Sequence, residues 1–239
     1  MNQQNSTWAI VPAAGIGKRM GGDTPKQYLP LNGGTLLEQT LERLLSMTEF
    51  EKILVAINPF DEQWKTLPVR KHEKIETALG GPERFESVFN ALIRLEGRAH
   101  ILDWVVIHDA ARPCVTVEQI QHLLHEVKEH AVGGLLAVPV SDTLKRINDD
   151  YGIEGTIDRQ YLWHAQTPQV FRYGVLKEAL KRAGHSRHAV TDESTAVEQL
   201  GYCPIVVEGR RDNIKVTHPE DLRLAELILQ SQQAASITS

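Results

Sequence analysis

Thr7-Trp8-Ala9-Ile10-Val11-Pro12-Ala13-Ala14-Gly15-Ile16-Gly17-Lys18-Arg19-Met20-Gly21-Gly22-Asp23-Thr24-Pro25-Lys26-Gln27-Tyr28 is the stretch from which the fold is read. An apolar run from Trp8 to Val11 stops at Pro12 and gives way to small residues and glycines. Backbone with little side chain at a strand end lets main-chain N–H groups approach an anion closely. Arg19 and Lys26 follow, where a Gly/Pro-rich loop can fix them, and fixed cations stabilise negative charge that grows on a phosphate during reaction. The stretch therefore reads as a strand feeding a nucleotide-triphosphate loop. The competing reading is a Gly-rich surface turn carrying solvated charges.

Two common glycine motifs fail here. A dinucleotide fingerprint begun at Gly15-x-Gly17 needs a glycine where Met20 stands. A Walker-type loop ending in Gly17-Lys18 needs a glycine at Pro12 and a hydroxyl residue at Arg19. Hydride transfer and ordinary ATPase chemistry lose their usual warrant.

Outward from this loop, short apolar runs alternate with amphipathic stretches, the pattern of a parallel sheet covered by helices. Residues 53–57, 105–107 and 135–138 read as buried strands. Leu36, Leu37, Thr40, Leu41, Leu44 and Leu45 recur at helical spacing, and a second helix is expected to bury Phe85, Val88, Phe89, Leu92 and Ile93. A helix over 117–129 starts after Thr116 as N-cap. The last helix begins near Pro219, a residue suited to the first helical position, and runs toward Leu229. The tail beyond, 231–239, reads as frayed. Residues 141–169 break the alternation with β-like runs around Asp149-Asp150-Tyr151-Gly152, a hairpin signal. Such an arm has little core of its own and calls for a partner surface, which a second subunit would supply.

The chain of 239 residues is 41% hydrophobic, enough for a single domain spanning 1–239 with an arm at about 141–169. No uninterrupted apolar run approaches the ~18 residues of a membrane span, and Met1 to Thr7 lacks a basic, apolar leader. Cys114 and Cys203 lie far apart without metal-ligand spacing, as expected of reduced thiols in a cytoplasmic protein. A net charge of −5 argues against a nucleic-acid surface, so an anionic substrate needs a local cluster of cations.

Asp109 follows the 105–107 strand directly, in His108-Asp109-Ala110-Ala111-Arg112-Pro113. Ligands bind outside the carboxyl ends of strands in open α/β sheets, and a carboxylate there can reach a hydrated Mg²⁺ or a substrate hydroxyl. The alternative is an Asp capping a turn. Arg112 either pins a second anion or pairs with Asp109. Gly80-Gly81 before the next helix offer free N–H groups and close approach, with Ser87 in the first turns. A pyrimidine base can be read there, or the junction is an ordinary turn. Lys215 sits in an expected short strand, Asp212-Asn213-Ile214-Lys215-Val216-Thr217, facing either an inward anion or solvent. Thr191-Asp192-Glu193 reads as a helix start whose N–H groups can also take a phosphate. His122/His125 and His185/His188 lack the context of a zinc site.

Four segments in register carry a resemblance. They are Pro12-Ala13-Ala14-Gly15-x-Gly17-x-Arg19-Met20, Pro25-Lys26-Gln27, the run from Val105 to Pro113, and Asp212 to Thr217. Together they resemble the 2-C-methyl-D-erythritol 4-phosphate cytidylyltransferases over nearly the whole chain. The sequence departs from that pattern at Pro82. The related ribitol-5-phosphate cytidylyltransferases tend to carry Ala-Gly-Gly where this chain has Ala13-Ala14-Gly15, and to diverge around 158–169. A non-catalytic nucleotide-sugar sensor would be expected to lack Arg19 or Lys26.

The resemblance implies an α/β, Rossmann-like, mostly parallel sheet of the nucleotidyltransferase and glycosyltransferase-A-like kind, with a protruding β-arm. It implies CTP and a sugar-alcohol phosphate as substrates, a divalent cation such as Mg²⁺, with Asp109 as its protein contact, and a homodimer. Arg19 and Lys26 would be catalytic. Pro12, Ala13, Ala14, Gly15, Gly17, Gly81, Ser87, Asp109 and Ala110 would bind nucleotide. Asp109, Arg112, Thr143, Arg159, Thr191 and Lys215 would hold the sugar phosphate, with Thr143 and Arg159 reaching in from the partner's arm.

Overall fold

A computed structural model describes residues 5–15, 24–184 and 190–238. Strand β1 (Thr7–Pro12) is followed by a small hairpin, β2 (Pro30–Leu31) and β3 (Gly34–Thr35), and then by helix α1 (Leu36–Leu45). Next come β4 (Phe50–Ile57), α2 (Glu62–Thr66), β5 (Ile75–Leu79), α3 (Arg84–Arg94), β6 (Trp104–Ile107), α4 (Val117–Val127) and β7 (Gly133–Pro139). The arm holds β8 (Leu144–Ile147) and β9 (Ile153–Ile157), after which β10 (Trp163–Arg172), α5 (Tyr173–Ala183), α6 (Glu193–Gln199), β11 (Ile205–Glu208) and α7 (Pro219–Thr238) complete the chain.

The main sheet has seven strands in the order β11-β7-β10-β6-β1-β4-β5. β1 lies parallel to both β4 and β6, β4 to β5, and β11 to β7. β10 runs antiparallel to both its neighbours, with Gln169 opposite Ile107 on one side and Leu135 on the other. The expected mostly parallel α/β sheet is present, with one reversed strand, β10, third from the β11 edge.

Both faces are covered because the strands alternate with period two. Ala9 and Val11 of β1 point to one side, where Leu37, Leu41 and Leu44 of α1 and Ile120, Leu123 and Val127 of α4 pack. Trp8 and Ile10 point to the other, against Val88, Ala91 and Leu92 of α3 and Leu176 and Leu180 of α5. Burying each such leucine is worth about 1.5–3 kcal/mol relative to leaving it in water. Thr35 caps α1 and Thr116 caps α4; each side chain accepts from the backbone N–H three residues on, 3.2 Å from Glu38 and 3.3 Å from Gln119.

Three expectations are corrected. Ile93 is 40% exposed and does not join the buried face of α3; Ala91 takes that place beside Val88 and Leu92, with Phe85 and Phe89 only partly buried. The 231–239 tail is not frayed over its described length: α7 continues to Thr238, and Gln232 Nε2 donates to the Cys114 carbonyl at 2.9 Å while its Oε1 accepts from Arg43 at 2.9 Å. The arm does not extend to Gln169, because Trp163–Arg172 is a strand of the main sheet. The free hairpin is β8 and β9, closed by the Asn148 N–H on the Gly152 carbonyl, with Tyr151 at φ 62 in the left-handed region.

Candidate active site

Three loops leave the carboxyl ends of parallel strands on the same edge of the sheet. Ala13-Ala14-Gly15 follows β1, Gly80-Gly81 follows β5, and His108 to Arg112 follows β6. The first two touch because Gly80 has no side chain: a Cβ there would lie 2.2 Å from the Ala14 Cβ and 3.1 Å from the Ile57 backbone. The Lys26–Tyr28 turn is tied in from the other side. Gln27, buried, donates to the Ala13 carbonyl at 2.9 Å, and Lys26 Nζ donates to the Val216 carbonyl at 3.2 Å.

These loops enclose a cleft of about 400 Å³, within the size range of small-ligand sites. Its lining includes Pro12, Ala13, Ala14, Gly15, Lys26, Gly81, Ser87, Asp109, Ala110 and Lys215. A second cavity of about 240 Å³ adjoins it, lined by Arg112, Gln166, Thr167, Gln169 and Thr191 among others. Arg84, Asp109 and Lys215 line both. Most of the expected site residues are thus brought together. Gly17 and Arg19, and the His185/His188 pair, lie outside the described residues. Thr143 and Arg159 fall in neither cavity; both are exposed on the arm, where Arg159 donates to the Ser141 carbonyl.

Asp109 is the hub. Its carboxylate is buried, with Arg84 Nε 2.8 Å from Oδ1 and Lys215 Nζ 2.7 Å from Oδ2. Burial alone would push its pKa up, but Arg84, then Lys215 and Arg112, hold it well below the usual carboxylate range. Its N–H donates to Thr167 Oγ1 at 3.0 Å, and that hydroxyl meets Nδ1 of the fully buried His108 at 3.1 Å. The other ring nitrogen of His108, Nε2, lies 2.9 Å from the Arg112 carbonyl and donates to it. Burial lowers the His108 pKa to about 4, so the ring is neutral, and this chain of bonds assigns its proton to Nε2.

The open readings of the sequence resolve here. Lys215 reaches an anion while its side chain stays 43% exposed to the open cleft, and it stands in an extended strap rather than a strand; the strap is held by the Val216 N–H on the Ala111 carbonyl at 2.8 Å. Arg112 does not form a direct ion pair with Asp109: its Nη1 donates to the Asn213 carbonyl at 2.7 Å, and its Nε has no partner. The Gly80 and Gly81 N–H groups are not free. Gly80 donates to the Ile57 carbonyl at 2.8 Å and Gly81 to Ser87 Oγ at 3.0 Å. The α6 start is likewise spoken for, with Thr195 N–H on Asp192 and Ser194 N–H on Gln169, both at 2.9 Å. These contacts engage the Gly80, Gly81, Ser194 and Thr195 N–H groups, four of the backbone donors expected to be free at the two junctions.

Sequence reasoning missed Arg84, Glu193, Thr167 and Gln169. A cation as the first residue of a helix opposes the helix dipole, and that misplacement was the one legible signal for Arg84. Around the two cavities the cations Lys26, Arg84, Arg112 and Lys215 outnumber the acids Glu83, Asp109 and Asp192, so the arrangement can hold phosphate groups from two ligands side by side.

The family model described as 2-C-methyl-D-erythritol 4-phosphate cytidylyltransferase matches residues 7–231. A protein of that name from Hahella chejuensis is 45% identical, with 95% of this chain and 94% of that protein aligned. One from Pseudomonas entomophila is 49% identical over 90% of this chain and 92% of its own length. The crystal structure of the Francisella tularensis 2-C-methyl-D-erythritol 4-phosphate cytidylyltransferase superposes with a TM-score of 0.82 at 40% identity, covering 94% of this chain and all of that one (100%).

Proposed function

The chain belongs to the 2-C-methyl-D-erythritol 4-phosphate cytidylyltransferase family, and from that premise we propose how its cleft joins CTP to 2-C-methyl-D-erythritol 4-phosphate with release of pyrophosphate. The observation that carries the reading is the pair of adjoining cavities whose shared wall is Arg84, Asp109 and Lys215. CTP occupies the larger, its triphosphate along Ala13-Ala14-Gly15 and Lys26. The sugar phosphate occupies the smaller, against Arg112, Thr191 and Lys215. The phosphate oxygen then meets the α-phosphorus of CTP at the wall.

A phosphate monoester's second pKa is near 6, so the attacking oxygen is already mostly ionised at neutral pH. No general base is needed, and the local groups agree with that. Asp109 is held ionised by its cations, and both nitrogens of His108 are engaged. The barrier is repulsion between two anions. Lys26, with Arg19, offsets the charge that accumulates as the new bond forms. Lys215 fixes the incoming phosphate near the floor.

Asp109 also fits as the protein contact of a Mg²⁺. It is an ionised carboxylate at the junction of the cavities, and each oxygen accepts from a single cation, leaving a lone pair. No group of three or more candidate metal ligands stands together among the described residues, so such an ion would rest chiefly on the triphosphate, as Mg²⁺ commonly does. When bound it would supply further charge neutralisation on the phosphates. The tight apposition of Gly80 and Ala14 supports a slot narrow enough to favour a single-ring base. The arm supports a homodimer: Tyr151 and Ile153 are 84% and 68% exposed on a two-stranded hairpin that has no core of its own, and Tyr161 just beyond it is 82% exposed. Two free cysteines accord with a reducing, cytoplasmic setting.

Pyrophosphate release, measured with Mg²⁺, tests this directly. CTP with methylerythritol phosphate is expected to exceed CTP with ribitol 5-phosphate, and ATP with methylerythritol phosphate, by at least roughly tenfold in kcat/KM. Equal use of ATP would overturn the base slot. Preference for ribitol phosphate would move the chain's substrate to the related enzymes.

A further inference from the structure

Arg84 divides its guanidinium between two carboxylates on different elements. Nε meets Asp109 at 2.8 Å, and Nη1 meets Glu193 Oε1 at 2.6 Å. Asp109 faces both cavities, whereas Glu193, the first residue of α6, is fully buried and lines neither. Its Oε2 and the Arg84 Nη2 are both buried without partners. Burial pushes the Glu193 carboxyl up against the opposing pull of Arg84. A buried, half-satisfied ion pair is a poor stabiliser compared with packed apolar side chains, and the start of α6 does not need it. That start is already clamped by Gln169, whose Oε1 accepts from the Ser194 N–H at 2.9 Å and whose Nε2 donates to Asp192 at 2.8 Å.

We propose that Glu193 is a positioning residue for the transfer. It holds one arm of Arg84 away from the wall, so that Arg84 meets Asp109 through Nε alone and the Asp109 carboxylate stays open toward both cavities. Without Glu193, the guanidinium turns its fork onto Asp109, and one negative charge that balances the floor is lost. The inference rests on the transfer chemistry above. It adds a residue that touches no substrate, acts through Arg84, and separates the orientation of the wall from its charge.

The test begins with wild-type turnover of CTP and methylerythritol phosphate. Absence of that activity would fail the transfer reading itself and is distinct from every outcome below. Glu193→Gln keeps the shape and an acceptor for Arg84 but removes the charge; Glu193→Asp keeps the charge and withdraws the reach. Both are expected to fold, with a thermal midpoint lowered by the weakened buried pair, and to lose kcat by roughly tenfold with the KM for CTP unchanged. The KM for the sugar phosphate should stay level or fall in Glu193→Gln, because the floor becomes more positive. Glu193→Gln should add no further loss in an Arg84→Lys background. A rise in both substrates' KM would reduce Glu193 to a structural role, and independent, multiplying effects of the two substitutions would overturn the proposed linkage.

Discussion

Lys26 shows how little freedom the residues of this site retain. Its Nζ reaches across to the Val216 carbonyl, and its neighbour Gln27 grips the loop after β1, so the ammonium is placed before any ligand arrives. Preorganised charge lowers a barrier more than it improves ground-state binding. Lys26→Ala is therefore expected to cut kcat roughly 10²-fold or more with a smaller change in KM for CTP. Steady-state kinetics returning a rate within a few-fold of wild type would leave the loop a mere turn. Cys114 offers a check on the interior behind the site. It is fully buried, and burial pushes its thiol up to about 12 from an ordinary 9. Between those values the unfolded chain has lost a proton that the folded chain still binds, so stability falls as pH rises through that window. Chemical denaturation at pH 8 and pH 10 should show a steeper loss for wild type than for Cys114→Ala. Parallel losses would mean that the thiol ionises freely in place.

Among the elements, the arm is the one whose sequence says most about something outside its own chain. Among the described residues β8 and β9 pair only with each other, and the hairpin leaves Tyr151 and Ile153 exposed. Arg159 stands at its base, lining neither cavity of the site. A guanidinium suits bidentate phosphate contact, so Arg159→Ala is expected to raise the KM for the sugar phosphate severalfold or more while leaving CTP binding nearly intact. Mixing Arg159→Ala with Lys26→Ala protein then locates its action. If each site borrows Arg159 from the neighbouring subunit, a mixed dimer has one site with both lesions and one with neither, and activity partly returns. No recovery despite demonstrated subunit exchange would confine Arg159 to its own chain or to the interface.

At the scale of the molecule, the sequence discloses what local pattern can encode. The strand cores 105–107 and 53–57 announce themselves because apolar residues face both helical layers. The cap Thr116 and the first-turn Pro219 mark their helices, and the loops after β1 and β6 carry their chemistry in consecutive residues. β10 was legible only as part of an arm, because Gln166, Thr167 and Gln169 spend their side chains on Asn213, Asp109 and the start of α6 instead of forming an apolar run. β11 is a four-residue edge strand with Val206 half exposed, too short and too wet to stand out. The Arg84–Glu193 pair joins residues 109 positions apart, and no periodicity or motif reports a contact at that separation.

The reversed strand β10, inside the sheet between β7 and β6, also orders events during synthesis. β6, β1, β4 and β5 are neighbours and lie within the first part of the chain, whereas β7 and β11 connect to them only through β10. A ribosome adding ~5–20 residues per second delivers domains from the N-terminus onward. The nascent chain can assemble its first four strands while β7 emerges without a neighbour to join, and β10 seals the two halves several seconds later. Asp109 is translated early, but Thr167, Glu193 and Lys215, which hold it or its partner Arg84, all follow. The cytidylyl-transfer floor is consequently among the last parts of the newborn protein to become whole.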